Sequence, residues 1–218
     1  MFNVTRRETA PDSLINRRSW RGRDVAEALR KDFLDKCYIC EGKEPICFNV
    51  EHFDAHKGDE DKKYDWVNLY FCCSRCNNFK GAKYNVLDCT DPSLDVCRLL
   101  RHVPPATPYS KHLIIEPMSN DPLVVETADL LREIYNQDDT GNRAVGGAYL
   151  RKKIHKKYYK LLEHINNFGS DDALQREKDY ALEHIKNMMS REQEFSAFLR
   201  WAVIDSPELL DLVSDHIY

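Results

Sequence analysis

The sequence predicts an α+β protein: a zinc-stapled unit of two strands and one helix, followed by a mostly helical C-terminal region. Three observations carry this expectation. Cys37/Cys40 and Cys73/Cys76 form two Cys-x-x-Cys pairs, and two thiolates from each tight turn complete a tetrahedral sulfur shell. Between the pairs, two short β-prone runs flank a polar loop. Beyond Thr127, apolar residues recur at spacings of three and four, the period of a helix with one buried stripe. The chain accordingly divides into an N-terminal arm and helix (1–36), the zinc-bound core (37–90), and an irregular connector leading into the helical region (91–218).

Taken in order, residues 1–20 show little periodicity and include Pro11, so they read as an extended arm whose arginines either meet phosphate or are simply solvated. Over 24–35, Val25, Leu29 and Phe33 stand four apart and predict a helix that delivers the chain to the first cysteine pair. Gly42 and Pro45 mark a turn, 46–50 reads as a strand, and the charged stretch that follows reads as a loop. The aromatic run 66–71 is the second strand, and a short helix from Ser74 ends at Gly81. So small a unit buries little, and zinc ligation, on the order of 10–16 kcal/mol in small zinc peptides, is what fixes it. Residues 85–123 look irregular, with a further strand candidate at 112–116. Helices are then expected from Thr127, over 148–167 and as one long element over about 171–203. Ser206-Pro207 opens a last short one.

Composition narrows the setting. A chain of 218 residues can bury a substantial core. The opening MFNVTRRETAPDSL lacks the apolar run of a signal peptide, and no stretch is long enough to span a bilayer, so a soluble, cytoplasmic protein is expected. In a reducing compartment its 8 cysteines favour metal ligation and free thiols; Cys47, Cys72, Cys89 and Cys97 read as ordinary thiols. The net charge of −4 is wrong for a simple DNA binder, since phosphate neutralisation supplies much of such a protein's affinity. The charge is instead segregated. Arg6, Arg7, Arg17, Arg18, Arg21 and Arg23 and the run RKKIHKKYYK at 151–160 are basic, whereas the tail from Asp205 to Asp215 carries only acidic charges.

The order Cys-x-x-Cys, Glu51-His52, Asn68-Leu69, Cys-x-x-Cys-Asn77, Lys80 resembles the HNH (ββα-metal) endonucleases. Further strings, VEHF, YDWVNL, CNNFKG, LDCTDPSLD and TADLLREIYNQDDTGNR, look like the PtuB-like HNH subunit of the Septu anti-phage system, a likeness covering roughly 10–165. This resemblance implies a nuclease acting on invading DNA, with a PtuA-type ATPase as partner. His52 would be the general base, because a neutral imidazole takes a water proton near neutral pH. Glu51 and Asn77 would hold a catalytic cation, Mg²⁺ or Mn²⁺, distinct from the structural zinc. Asn68 would brace the loop that aims His52, and Lys80 would touch phosphate. Two departures stand out: Asp54-Ala55-His56 replaces the family's usual proline and lysine, and Gly81 stands where many members carry a second metal-binding histidine.

One geometric demand accompanies this reading. Neighbouring residues on a strand point to opposite faces, so Glu51 and His52 share a site only if the strand ends there. The rival readings are a non-catalytic zinc module that binds nucleic acid or protein, and a stand-alone restriction or homing-type HNH nuclease. His56 reads as a loop histidine, and His102, His112, His155, His164, His184 and His216 fit no ligand pattern. The lysines of 151–160 read as a solvated helix face, with a DNA or partner contact as the sharper alternative.

Overall fold

The computed structural model describes residues 1–138 and 146–214, so His216 and the end of the acidic tail lie outside the described residues. It is a mixed α+β structure. Strands β1 (Phe48–His52) and β2 (Leu69–Cys73) pair antiparallel, with Phe48 opposite Cys73 and His52 opposite Leu69. Helix α1 (Asp12–Ile15) and helix α2 (Arg23–Asp32) precede this hairpin. Helix α3 (Glu60–Tyr64) lies inside its loop, and α4 (Ser74–Lys80) follows it directly. A second hairpin then forms after α5 (Val96–Leu99), from β3 (Leu100–Val103) and β4 (Ile114–Pro117). The remainder is helical: α6 (Pro122–Asn136), α7 (Gly147–Phe168), α8 (Gln175–Met189), α9 (Ser196–Ile204) and α10 (Pro207–Val213). Among the described residues no helix is long and apolar enough to cross a membrane.

Several expectations are corrected, each for a physical reason. The first strand begins at Phe48, because Ile46 is 97% exposed and lies outside the pairing. The second begins at Leu69, since Trp66–Asn68 forms a 3₁₀ turn capped by the Asp65 carboxylate. The loop after His52 contains α3, whose first turn is capped by Asp59 accepting from Asp61 N and Lys62 N. The connector is more ordered than its prolines imply, because Pro122 takes the first position of α6 and Asp121 caps it. The long helix over 171–203 is two helices. Phe195 sits in left-handed backbone at φ 58°, and its N–H reaches the Glu41 carbonyl, a distant contact that local periodicity does not encode.

The N-terminal arm is also not a solvated one. Met1, Phe2 and Val4 are buried in the principal apolar cluster, which runs without interruption from these residues to Phe198. Arg6 lies over the rings of Trp66 and Tyr70, Arg7 pairs with Asp32 at 2.8 Å, and Arg17 pairs with Asp61. A second apolar cluster, around Leu161, Ile185, Leu199 and Leu209, joins α7 to α10.

Glu41, next to Cys40, ties these parts together. Its Oε1 meets the Met1 amino group at 3.1 Å. Its Oε2 accepts from Lys36 Nζ at 3.1 Å, Ser196 Oγ at 2.8 Å and Ala197 N at 3.3 Å. His102 lies beside this network. Its Nδ1 donates to Leu100 O at 2.7 Å, leaving Nε2 to accept from the Met1 ammonium at 3.2 Å. Burial first, and then that ammonium, push His102 down to about 3. Burial alone would raise Glu41, but Lys36, the Met1 amino group and His102 outweigh it and hold the carboxyl below its usual range.

Both shifts make stability fall on acidification. Below pH 6.5 the unfolded chain protonates a histidine that the fold keeps neutral, and below 4.5 it protonates a glutamate that the fold keeps ionised. Urea unfolding should therefore lose stability with a slope approaching about 1.4 kcal/mol per pH unit below the histidine value. His102→Asn should flatten that first segment. An unchanged slope in the variant would remove His102 from the account.

Candidate metal centre and active site

The four cysteines of the two pairs come together. The Sγ atoms of Cys37, Cys40, Cys73 and Cys76 all lie within 4.8 Å of one another, and all but Cys73 are buried. Cys40 and Cys73 are 3.9 Å apart. Zinc–sulfur bonds of about 2.3 Å set tetrahedral sulfurs roughly 3.8 Å apart, so the cluster fits a structural zinc. Local backbone builds it. Glu41 N bonds back to Cys37 O at 2.9 Å, closing the first knuckle. Cys73 caps α4 through Cys76 N at 3.4 Å, closing the second. Burial pushes the Cys37 thiol up, but its neighbours Cys40, Cys72, Cys73 and Cys76 outweigh this and bring it well below the ordinary thiol range. Cys72, expected to be an ordinary thiol, lies 3.8 Å from Cys37 and borders the cluster without belonging to it. Its proximity is invisible in the Cys-x-x-Cys spacing.

The residues beyond the cluster divide by strand face. Glu51 is buried, and its Oε1 pairs with Lys80 Nζ at 3.0 Å. Among the described residues its buried Oε2 has no hydrogen-bond partner of good geometry, the Cys72 thiol being the donor group near the carboxylate besides Lys80. Burial raises the Glu51 carboxyl, with Lys80 pulling the other way. Lys80 also donates to Phe53 O at 2.9 Å and is 3% exposed. The expectation that Lys80 touches phosphate is therefore corrected: α4 turns it inward, and burial demands that it be paired.

His52 takes the other face. Its Nε2 donates to Lys63 O at 3.1 Å, and its ring lies 4.5 Å from Trp20 and 4.6 Å from His56. Half-buried there, the imidazole is lowered by desolvation, which favours the neutral ring. With the hydrogen on Nε2, Nδ1 is the acceptor, and among the described residues nothing bonds to it. β1 ends at His52, where a shared site requires it to end, but the two side chains have different neighbours: Lys80 beside Glu51, and Trp20, His56 and the Lys63 carbonyl beside His52.

Asn68 is buried, and its amide holds the loop by the backbone. Oδ1 accepts from Asp54 N at 2.7 Å, and Nδ2 donates to Asp54 O at 2.9 Å and Lys62 O at 3.0 Å. The same loop carries the Lys63 carbonyl that fixes His52. Asn77 is half-buried on α4, one turn before Lys80, and its side chain has no hydrogen-bond partner among the described residues. Sequence reasoning missed Trp20, whose only signal is an aromatic set among arginines in a stretch read as an extended arm.

The orphan Glu51 oxygen is the test of fit for a second cation. A buried carboxylate oxygen without a donor is costly, and a divalent cation with oxygen ligands satisfies it. Lys80 neutralises the other oxygen meanwhile. Lys80→Met should then destabilise the fold by about 3–5 kcal/mol, the cost of stranding a buried charge, and Glu51→Gln in the same chain should recover most of it. Added Mn²⁺ should raise the melting temperature of Lys80→Met more than that of the parent. Equal shifts in both proteins would argue that Glu51 does not take the ion.

Fold and cluster together define the class: an α+β protein, about half helical with two small antiparallel sheets, carrying four cysteines able to hold zinc. Comparison with protein-family models, with curated proteins and with solved structures finds no match.

Proposed function

We propose that this chain is a metal-dependent endonuclease of the HNH type, hydrolysing phosphodiester bonds of invading DNA as the nuclease subunit of a Septu-type complex with a PtuA-type ATPase. The observation that carries the chemistry is the end of β1. Among the described residues, a neutral imidazole with no partner on Nδ1 stands on one side, and on the other a buried carboxylate has one oxygen that no well-placed donor reaches. In-line displacement puts the attacking water and the departing 3′ oxygen on opposite sides of the phosphorus. The base and the cation therefore need not share a strand face: a phosphodiester at the strand end would meet His52 directly and the buried Glu51 only through the cation.

In this reading His52 Nδ1 takes the proton of the attacking water. The Lys63 carbonyl fixes the tautomer, and Asn68 holds the loop that presents that carbonyl. Glu51 and Asn77 would hold Mg²⁺ or Mn²⁺, which supplies Lewis-acid stabilisation of the phosphoryl oxygens. The zinc held by the four cysteines is structural, since thiolates fill all its positions. The partner and the defence role rest on the sequence resemblance alone.

One observation favours a second reading, a zinc module without catalysis: Lys80 already neutralises Glu51. The test is hydrolysis of DNA by the zinc-loaded chain, alone and with a co-expressed PtuA-type ATPase, in Mg²⁺, in Mn²⁺ and without divalent cation. Cation-dependent cleavage supports the proposal. No cleavage under any of these conditions would sink it in favour of the module.

A further inference from the structure

The site described above leaves the exposed face of α7 unused. Leu150, Arg151, Ile154 and Leu161 of this helix are buried. Away from them, Tyr149, Lys152, Lys156, Tyr159 and Lys160 are exposed. Their spacings of three and four put them on one face. Near the N-terminal end Arg7, Arg17 and Arg23 are paired with carboxylates, whereas Lys152, Lys156 and Lys160 have no acidic partner among the described residues. Lys153, beside them, does have one in Glu194. Glu163 is the one acidic residue on this face.

Tyr149 and Tyr159 are 48% and 55% exposed. Further along, where α7 meets α8, the rings of His164 and His184 stack 4.7 Å apart, with Tyr180 4.2 Å from His184. The other end of the face abuts the zinc knuckle, because Glu194 takes both Lys153 Nζ and Lys43 N.

We propose that this face binds a single-stranded nucleic-acid segment, with Lys152, Lys156 and Lys160 on its phosphates and Tyr149 and Tyr159 under its bases. Four-residue steps place the three lysines about 6 Å apart along the axis, close to the phosphate spacing of an extended strand. Unpaired lysines alternating with exposed rings are what sequence-tolerant single-strand binding uses: charge tracks the backbone and aromatic faces stack on bases. The exposed face carries no large aliphatic side chain to enter a bilayer, and an acidic protein partner, which exposed tyrosines also serve, is an outcome of the test. Such a surface also answers how a chain of net charge −4 grips a polyanion: locally rather than globally. The inference deepens the nuclease proposal, resting on it for the identity of the ligand but not for the surface.

The test measures fluorescence anisotropy of labelled oligonucleotides with the full zinc-loaded His52→Ala chain, without added divalent cation. Single-stranded DNA, single-stranded RNA and duplex DNA are compared. A single strand is expected to bind best, and the first two arms decide between DNA and RNA. Lys152→Gln/Lys156→Gln/Lys160→Gln should lower the slope of log K against log salt by about 2, at roughly 0.7 per phosphate contact. Tyr159→Ala should weaken binding roughly 5- to 150-fold, as loss of one stacked base does, while Tyr159→Phe retains affinity.

Zinc content and circular dichroism establish that each variant is folded. The proposal is overturned if no oligonucleotide binds, if duplex is preferred, if the triple variant keeps the parental slope, if Tyr159→Ala and Tyr159→Phe behave alike, or if an acidic polypeptide competes as well as the single strand does. Binding that needs this face, in a chain that cleaves nothing, would keep the surface and discard the nuclease. Cleavage with binding indifferent to these residues would do the reverse.

Discussion

Cys40→Ser should give a chain that holds no zinc and does not fold cooperatively. The cluster joins the turn before β1 to the start of α4, a closure it shares with the β1–β2 pairing and the Tyr38 N to Phe71 O bond. Zinc ligation in small domains is on the order of 10–16 kcal/mol, against a typical net stability of about 5–15 kcal/mol. Losing one thiolate of four therefore threatens the whole margin. The damage should spread, because Cys40 O accepts the Tyr135 hydroxyl of α6 at 3.0 Å and Glu41 holds the first turn of α9. Elemental analysis should find one zinc per parent chain and none in the variant, with the thermal transition lost or displaced far down. Cys47→Ser is the control, since Cys47 is exposed and outside the cluster, and it should retain both zinc and melting temperature. A Cys40→Ser protein that melts like the parent would show that the four thiols do not hold a structural metal.

The cluster was legible because Cys-x-x-Cys spacing constrains local backbone and ligand chemistry together. The strand–loop–strand–helix order was equally legible: β-branched and aromatic content marks β1 and β2, and Gly81, at φ 48°, closes α4 where a left-handed residue is needed. What escaped were contacts made across long sequence distances. Nothing local in Met1 or Phe2 announces burial against Glu41 and Lys36, and nothing in 190–195 signals the turn that Phe195 makes to reach Glu41. Lys80 illustrates the same limit at the site. A lysine near a helix end reads as solvent-facing, and only the three-dimensional fold puts Glu51 beside it. Motif spacing does not give directions: Asn68 braces a loop by its amide, while Glu51 turns to Lys80 and His52 to Trp20 and His56.

His52→Ala should leave the metal cluster and fold in place while lowering cation-dependent cleavage by about 10²–10⁴, the usual contribution of a positioned general base. The variant removes a half-buried ring packed on Trp20 and His56, so a modest stability loss is also expected. Zinc content separates the two effects. No ligand of the cluster lies on the His52 loop, and the parental zinc complement should persist. Added imidazole, small enough to enter the space the ring vacates beside Trp20, should restore part of the lost rate without changing the melting temperature. A structural role predicts the opposite pattern, a lower melting temperature with no rescue. Should the variant cut DNA as fast as the parent, the imidazole at the end of β1 does no chemistry, and the zinc-module reading, with Lys80 simply neutralising Glu51, becomes the better account of the same geometry.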